Sequence, residues 1–275
     1  MDGVEFVKGH GTENDFLVLP DPDGRLDLTP SRVRALCDRS RGLGADGVVR
    51  AVRAGRLADG AGADPDGWFL DLRNADGGPA EMSGNGARVY ARWLADAGLV
   101  RGDLVLATRA GPRPVRFAGD GAITVGMGSA RAGGTSAVTA GGRSFDGVAV
   151  DVGNPHLVAL TDVPVDGIDL TVAPDHDPAA FPHGVNVEFV NVLGPDRLRM
   201  RVHERGVGET RSCGTGTVAA ATAALTAGGR DGGAVDVDVP GGRLRVELRD
   251  GAATLTGPAV LVARGRLDAA WWDAA

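Results

Sequence analysis

Two places in this sequence put a proton-exchanging side chain directly before a glycine-rich helix start. In "MSGNGARVY" Ser83 precedes Gly84, Asn85 and Gly86, and in "SCGTGTVAA" Cys213 precedes Gly214, Thr215 and Gly216. The first turn of a helix offers unpaired N–H groups and the positive end of the helix dipole, which together favour an anion. Glycines there let a carboxylate approach the bare backbone. A cysteine at such an end is expected to have its thiolate favoured. One such end says little, since serine is also among the best helix caps. Two ends in similar halves can face one another and hold one carboxylate between them. Groups on opposite sides of the adjacent carbon are then what a two-base racemase needs: one removes the α-proton and the other returns a proton to the opposite face.

The two ends belong to a longer repeat. "NDFLVL" at Asn14 matches "NPHLVA" at Asn154, an offset of 140 that also sets Gly44 on Gly184. The offset then becomes 130, pairing Asn74 with Glu204, Ser83 with Cys213, Gly84 with Gly214, Gly86 with Gly216 and Gly111 with Gly241. A register held for so long predicts two similar halves, each of ordinary domain size. The expected boundaries are 1–128, joined by a C-terminal strand at about 260–275, and 129–259.

Each half must hold its helix end in place, and the coarse pattern shows how. "VEFVKGH" and "FLVLPD" read as strands about a turn. "TPSRVRALC" has Thr29 as N-cap, Pro30 at the first helical position and an apolar face of Val33, Leu36 and Cys37. The spacing predicts helices over 87–97 and 217–227, the second apolar nearly all round and so buried. "VRF" and "AITVGM" follow the first, and "VDVDV", "LRVEL" and "ATLTG" follow the second, all reading as strands. Residues 129–146 read as a connecting segment. The fold class expected is α+β, with two pseudo-symmetric halves, each a mixed or antiparallel sheet wrapped around a central helix.

Composition excludes several functions. The chain has 275 residues and a net charge of −7, which argues against a nucleic-acid partner. No apolar run reaches membrane-spanning length and the start lacks a signal peptide's pattern, so a cytoplasmic protein is expected. The two cysteines, Cys37 and Cys213, have neither disulfide-framework nor metal spacing. The histidines at 10, 176, 183 and 203 make no ligand set, so no metal is expected. "GNGAR" lacks the full dinucleotide fingerprint, and no cofactor is indicated.

Taken together, "GHGTENDFLVL", "RNADGGPAEMSGNGAR", "DVGNPHLVAL", "HGVNVEFV" and "HERGVGETRSCGTGT" closely resemble the diaminopimelate epimerase family from about residue 5 to 262. The resemblance implies a cofactor-free isomerase that interconverts LL- and meso-diaminopimelate for lysine and peptidoglycan synthesis. It also implies a cytoplasmic homodimer whose last strand returns to the first half. Carried over by position, the family's two catalytic cysteines fall on Ser83 and Cys213, and its substrate-holding asparagines on Asn14, Asn74, Asn154 and Asn186. Gly84–Asn85 and Gly214–Thr215 match its α-carboxylate cradle. Glu204 and Arg205 match contacts to the ammonium and the distal carboxylate, and His156 with Glu204 matches groups assisting the thiols. Gly47 stands where many members have glutamine.

Ser83 is the larger departure, because the family motif has cysteine there. A thiol has a pKa of about 8.5 and an alcohol one closer to water's, about 15.7. The gap of roughly seven units is on the order of 10 kcal/mol against deprotonation, while a helix dipole contributes only about 0.3–2 kcal/mol. Ser83 cannot act as a thiolate-style base. The serine is an introduced replacement, a natural homologue's altered chemistry or a weakly active natural member. A racemase or dehydratase of another amino acid, and a non-catalytic amino-acid-binding homologue, are the competing functions.

Overall fold

The computed structural model describes residues 3–275. Residues up to Val125 with Pro258–Ala275 form one compact unit, and Gly126–Gly257 form the other.

In the first unit β1 (Glu5–Gly11) and β2 (Asn14–Pro20) form the expected hairpin, followed by α1 (Pro30–Cys37), β3 (Gly47–Arg53) and β4 (Trp68–Asn74). Strand β2 pairs antiparallel with β1 and parallel with β3, and β3 pairs antiparallel with β4. Thr29 caps α1, accepting from the Arg32 N–H, with Pro30 at its start. Then come α2 (Gly84–Asp96), β5 (Leu104–Leu106), β6 (Arg113–Phe117) and β7 (Ile123–Ser129), the last carrying the chain across the boundary.

The second unit repeats this order, except that among the described residues no α-helix stands in the place of α1. Its strands are β8 (Arg131–Ala140), β9 (Arg143–Asp151), β10 (Pro155–Leu160), the short β11 (Asp175–His176), β12 (Asn186–Gly194), β13 (Arg197–Glu204) and β14 (Gly208–Thr210). Helix α3 (Gly214–Ala227) follows, then β15 (Gly233–Val239), β16 (Gly242–Arg249) and β17 (Ala252–Gly257). The pairings match the first unit's: β9 antiparallel to β10, β10 parallel to β12, and β12 antiparallel to β13. Gly44 and Gly184, paired in the repeat, share a left-handed backbone with φ of 69° and 78°. Both positions strain any side chain, which explains glycine at each.

The chain's end, β18 (Val260–Arg266) with α4 (Ala269–Ala274), belongs to the first unit, where β18 pairs antiparallel with β1. Its counterpart β8 pairs in the same way with β9. Residues 129–146, expected as a connecting segment, are therefore largely strand. Small residues and an exposed face hid the alternation, and a register shift between Ala132 and Thr135 breaks it further.

The helices begin three residues earlier than expected, so each Gly-x-Gly is itself a first turn. Helix α3 is buried on nearly every side. Helix α2 packs on β1, β2 and β18, bringing its first turn beside the β1–β2 hairpin. Cys37 is core, and burial pushes its thiol up to about 12. Among the described residues no helix is long and apolar enough to cross a membrane.

Candidate active site

Ser83 and Cys213 both sit at N-cap positions with extended backbone. The Gly86 N–H donates to Ser83 Oγ at 3.1 Å, and the Gly216 N–H donates to Cys213 Sγ at 3.4 Å. The groups supporting the two caps differ in kind.

Beside Cys213 the second unit collects acid–base groups. The Glu204 carboxylate lies close enough to the thiol for the two groups to shift each other's proton affinity, and it accepts from Thr210 Oγ1 at 2.5 Å. His156 is fully buried, with Nδ1 2.6 Å from Glu188 Oε1 and Nε2 3.1 Å from Asn154 Oδ1. Asn154 Nδ2 donates to Thr215 Oγ1, which lies 3.5 Å from Cys213 Sγ. Asn186 is spent on the backbone: its Nδ2 donates to Pro155 O at 3.1 Å and its Oδ1 accepts from the Arg205 N–H at 3.0 Å. It thus positions Arg205, whose exposed guanidinium, among the described residues, donates only to His183 O at 3.1 Å.

A depressed thiol pKa at Cys213 is not what this environment produces. Burial first, then the Glu204 and Glu188 carboxylates, push the thiol well above its ordinary value. Thr215 and the Gly216 N–H pull the other way and lose. A helix end contributes at most about 2 kcal/mol, too little against burial and two carboxylates. Cys213 therefore rests as a thiol. Burial likewise raises the Glu204 carboxyl, which fits it to take up the thiol proton.

Beside Ser83 the first unit offers amides and a cation. Asn85 Nδ2 donates to Asn14 Oδ1 at 3.1 Å, and Asn14 Nδ2 donates to Asp46 Oδ2 at 2.7 Å. Arg88 is fully buried, and burial lowers its pKa to about 9. Its guanidinium donates to Asn85 Oδ1, Thr12 Oγ1, Gly84 O and Pro258 O. Among the described residues no carboxylate pairs with it, so the α2 end is cationic and suited to an anionic ligand. Asn74 lies exposed at the end of β4, opposite Gly47.

Glu188 and Arg88 are buried charges that no local motif announces. Each is a charged residue in an apolar context, "VNVEFV" and "ARVYARWL", and the repeat marks both. At its offsets Glu188 falls on Val48, His156 on Phe16, and Arg88 on Val218. No cluster of metal-ligating side chains occurs among the described residues.

Gly216 is there for space. A Cβ at this position would lie 2.6 Å from Glu188 Oε1, whereas one at Gly86 meets only Phe16 and Ser83 at 3.4 Å. Gly216→Ala is expected to destabilise the protein by about 1–3 kcal/mol. Gly86→Ala should change stability by less than about 1 kcal/mol, helped by alanine's helix propensity. Urea unfolding midpoints of the two variants check this contrast.

A sequence model of the diaminopimelate epimerase family matches residues 6–132 and 148–262. The diaminopimelate epimerase of Rhodococcus jostii is 55% identical over 98% of this chain and 99% of its own. That of Mycolicibacterium smegmatis is 52% identical over 98% of each. Among solved structures, a phenazine biosynthesis protein of the PhzF family from Bacillus anthracis superposes with a TM-score of 0.71 at 12% identity, covering 97% of this chain and 99% of that one. A probable proline racemase from Agrobacterium radiobacter, with bound carbonate, gives 0.69 at 17% identity over 97% and 93%. At those identities the structural likeness speaks for the fold.

Proposed function

This chain belongs to the diaminopimelate epimerase family, and from that premise we propose how its own residues carry the isomerisation and where serine limits it. The observation carrying the proposal is the thiol of Cys213 set against Glu204, with His156 and Glu188 behind. Cys213 and position 83 serve opposite faces of one α-carbon of diaminopimelate. The substrate's α-carboxylate takes the N–H groups of Gly84–Asn85 and Gly214–Thr215, with the buried Arg88 charge beneath the first cradle. Its ammonium lies against Glu204, where positive charge offsets the carboxylates that hold the thiol proton on.

On its own face, Cys213 passes its proton to Glu204 and the thiolate removes the α-proton. The return on the opposite face falls to Ser83, whose alkoxide is too unstable to take part at a useful rate. Proton abstraction without efficient inversion follows. The set works without pyridoxal phosphate. A cytoplasmic homodimer in lysine and peptidoglycan synthesis completes the proposal.

Arg205 gives the proposal its substrate. Its guanidinium is exposed and pairs with no carboxylate among the described residues, while its stem packs where Gly184 has no side chain. It takes the distal carboxylate as a bidentate, charge-assisted pair. Arg205→Lys should weaken diaminopimelate binding by about 1.5–3 kcal/mol and leave alanine binding unchanged. Calorimetric titration with both ligands tests this; equal losses would remove Arg205 from the role.

A further inference from the structure

Glu188 is a buried carboxylate on β12 that has no counterpart in the first unit. It shares the interior with His156 on β10 and Cys213 at the start of α3, and the half-buried Glu204 on β13 lies beside them. The matching strands of the first unit, β2 and β3, pair in the same parallel sense with Phe16 and Val48 at these places. The strand pairing itself thus requires no charge here, and burying one is costly. The space is nonetheless kept open for it, since any side chain at position 216 would strike Glu188 Oε1.

The hydrogen bonds show what the carboxylate does. At 2.6 Å, Glu188 Oε1 accepts from His156 Nδ1–H. On the ring's other side Asn154 presents its amide oxygen to Nε2 at 3.1 Å, and its amide nitrogen is turned to Thr215. Two acceptors, one on each ring nitrogen, call for hydrogen on both. We propose that Glu188 is a positioning residue of the reaction: it holds His156 as the doubly protonated ring, whose charge offsets the carboxylates around Cys213. Without it, Glu204 would carry the thiol's proton exchange with no cation acting on it among the described residues until substrate arrived. The second unit's cation is therefore an imidazolium supported by a carboxylate, and the first unit's is Arg88.

The role in catalysis rests on the function proposed above, but the state of the ring does not. Nitrogen-15 NMR of the whole protein, with His156→Phe to assign the signals, should show both ring nitrogens of His156 bearing hydrogen at neutral pH. In Glu188→Gln one of them should lose it. Exchange of the substrate α-hydrogen with solvent should fall by about 10- to 100-fold in that variant, the range seen when an outer group that orients a ligating histidine is removed. A His156 ring with a single hydrogen in the unaltered protein would overturn the proposal. So would a Glu188→Gln protein with unchanged ring signals and an unchanged pH profile of exchange. If the unaltered protein exchanged no α-hydrogen at all, the proposed function would fall, while the ring signals would still decide the state of His156.

Discussion

Replacing Ser83 with cysteine is expected to raise the rate of diaminopimelate epimerisation by about 10²- to 10⁴-fold, the contribution of one placed acid–base group. The surroundings already suit a thiol. Ser83 caps α2 as Cys213 caps α3, each accepting an N–H from the glycine three residues on. The change is of a single atom, and the matching cap in the second unit already carries a sulfur in the same relation to its glycine N–H. The charge is more favourable than at Cys213. Arg88 lies beneath this turn, bonded to Gly84 O and Asn85 Oδ1, with no carboxylate paired to it among the described residues. A thiol at position 83 should thus be more acidic than that of Cys213, which burial and two carboxylates push up. Initial rates of LL-to-meso conversion for the two proteins check this. A cysteine variant no faster than the serine form would leave Ser83 as a helix cap and point to another substrate.

Cys213→Ala is expected to abolish α-hydrogen exchange, a loss of at least about 10²-fold, whereas Ser83→Ala should leave it almost unchanged. The asymmetry follows from which side chain can give up a proton. Cys213 has the Glu204 carboxylate as a neighbouring base, and Ser83 has only the Gly86 N–H, a donor, among its described partners. Alanine at 213 also frees the Gly216 N–H, so a helix-cap cost of about 1 kcal/mol accompanies the loss. Folding of both variants, followed by urea midpoints, separates that cost from the chemistry. Deuterium uptake measured by NMR gives the rates. Equal losses at the two positions would mean that Ser83 also moves a proton.

Much of the fold could be read from the chain because its signals are local and doubled. The hairpin of β1 and β2, the Thr29–Pro30 start of α1 and the apolar α3 each carry a pattern that tertiary packing reinforces. The repeat located Ser83 and Cys213 without any structure, since the fixed offset singles them out from many glycines. Strand β8 was illegible because its residues are small and one face is exposed, leaving no alternation to detect. The acidity of Cys213 is not legible in the sequence for a related reason. The helix end is visible in sequence, but the opposing carboxylates come from β12 and β13, and their distance from the sulfur is a tertiary fact. Glu188 and Arg88 were legible only in part: the repeat marks each as a charge facing an apolar partner, but not what each charge touches.

The limiting role of Ser83 is tested most directly by incubating the protein with LL- and with meso-diaminopimelate in deuterated water, following α-deuterium and configuration together. One of the two isomers is expected to take up deuterium at an α-carbon with its configuration retained, much faster than it inverts, because Cys213 alone removes and returns the proton on its own face. The other isomer should exchange far more slowly. Inversion of both isomers as fast as exchange would contradict this, by showing that Ser83 serves its face as well as a thiol does. Binding of both without any exchange would contradict it too, and would make the chain a binding protein.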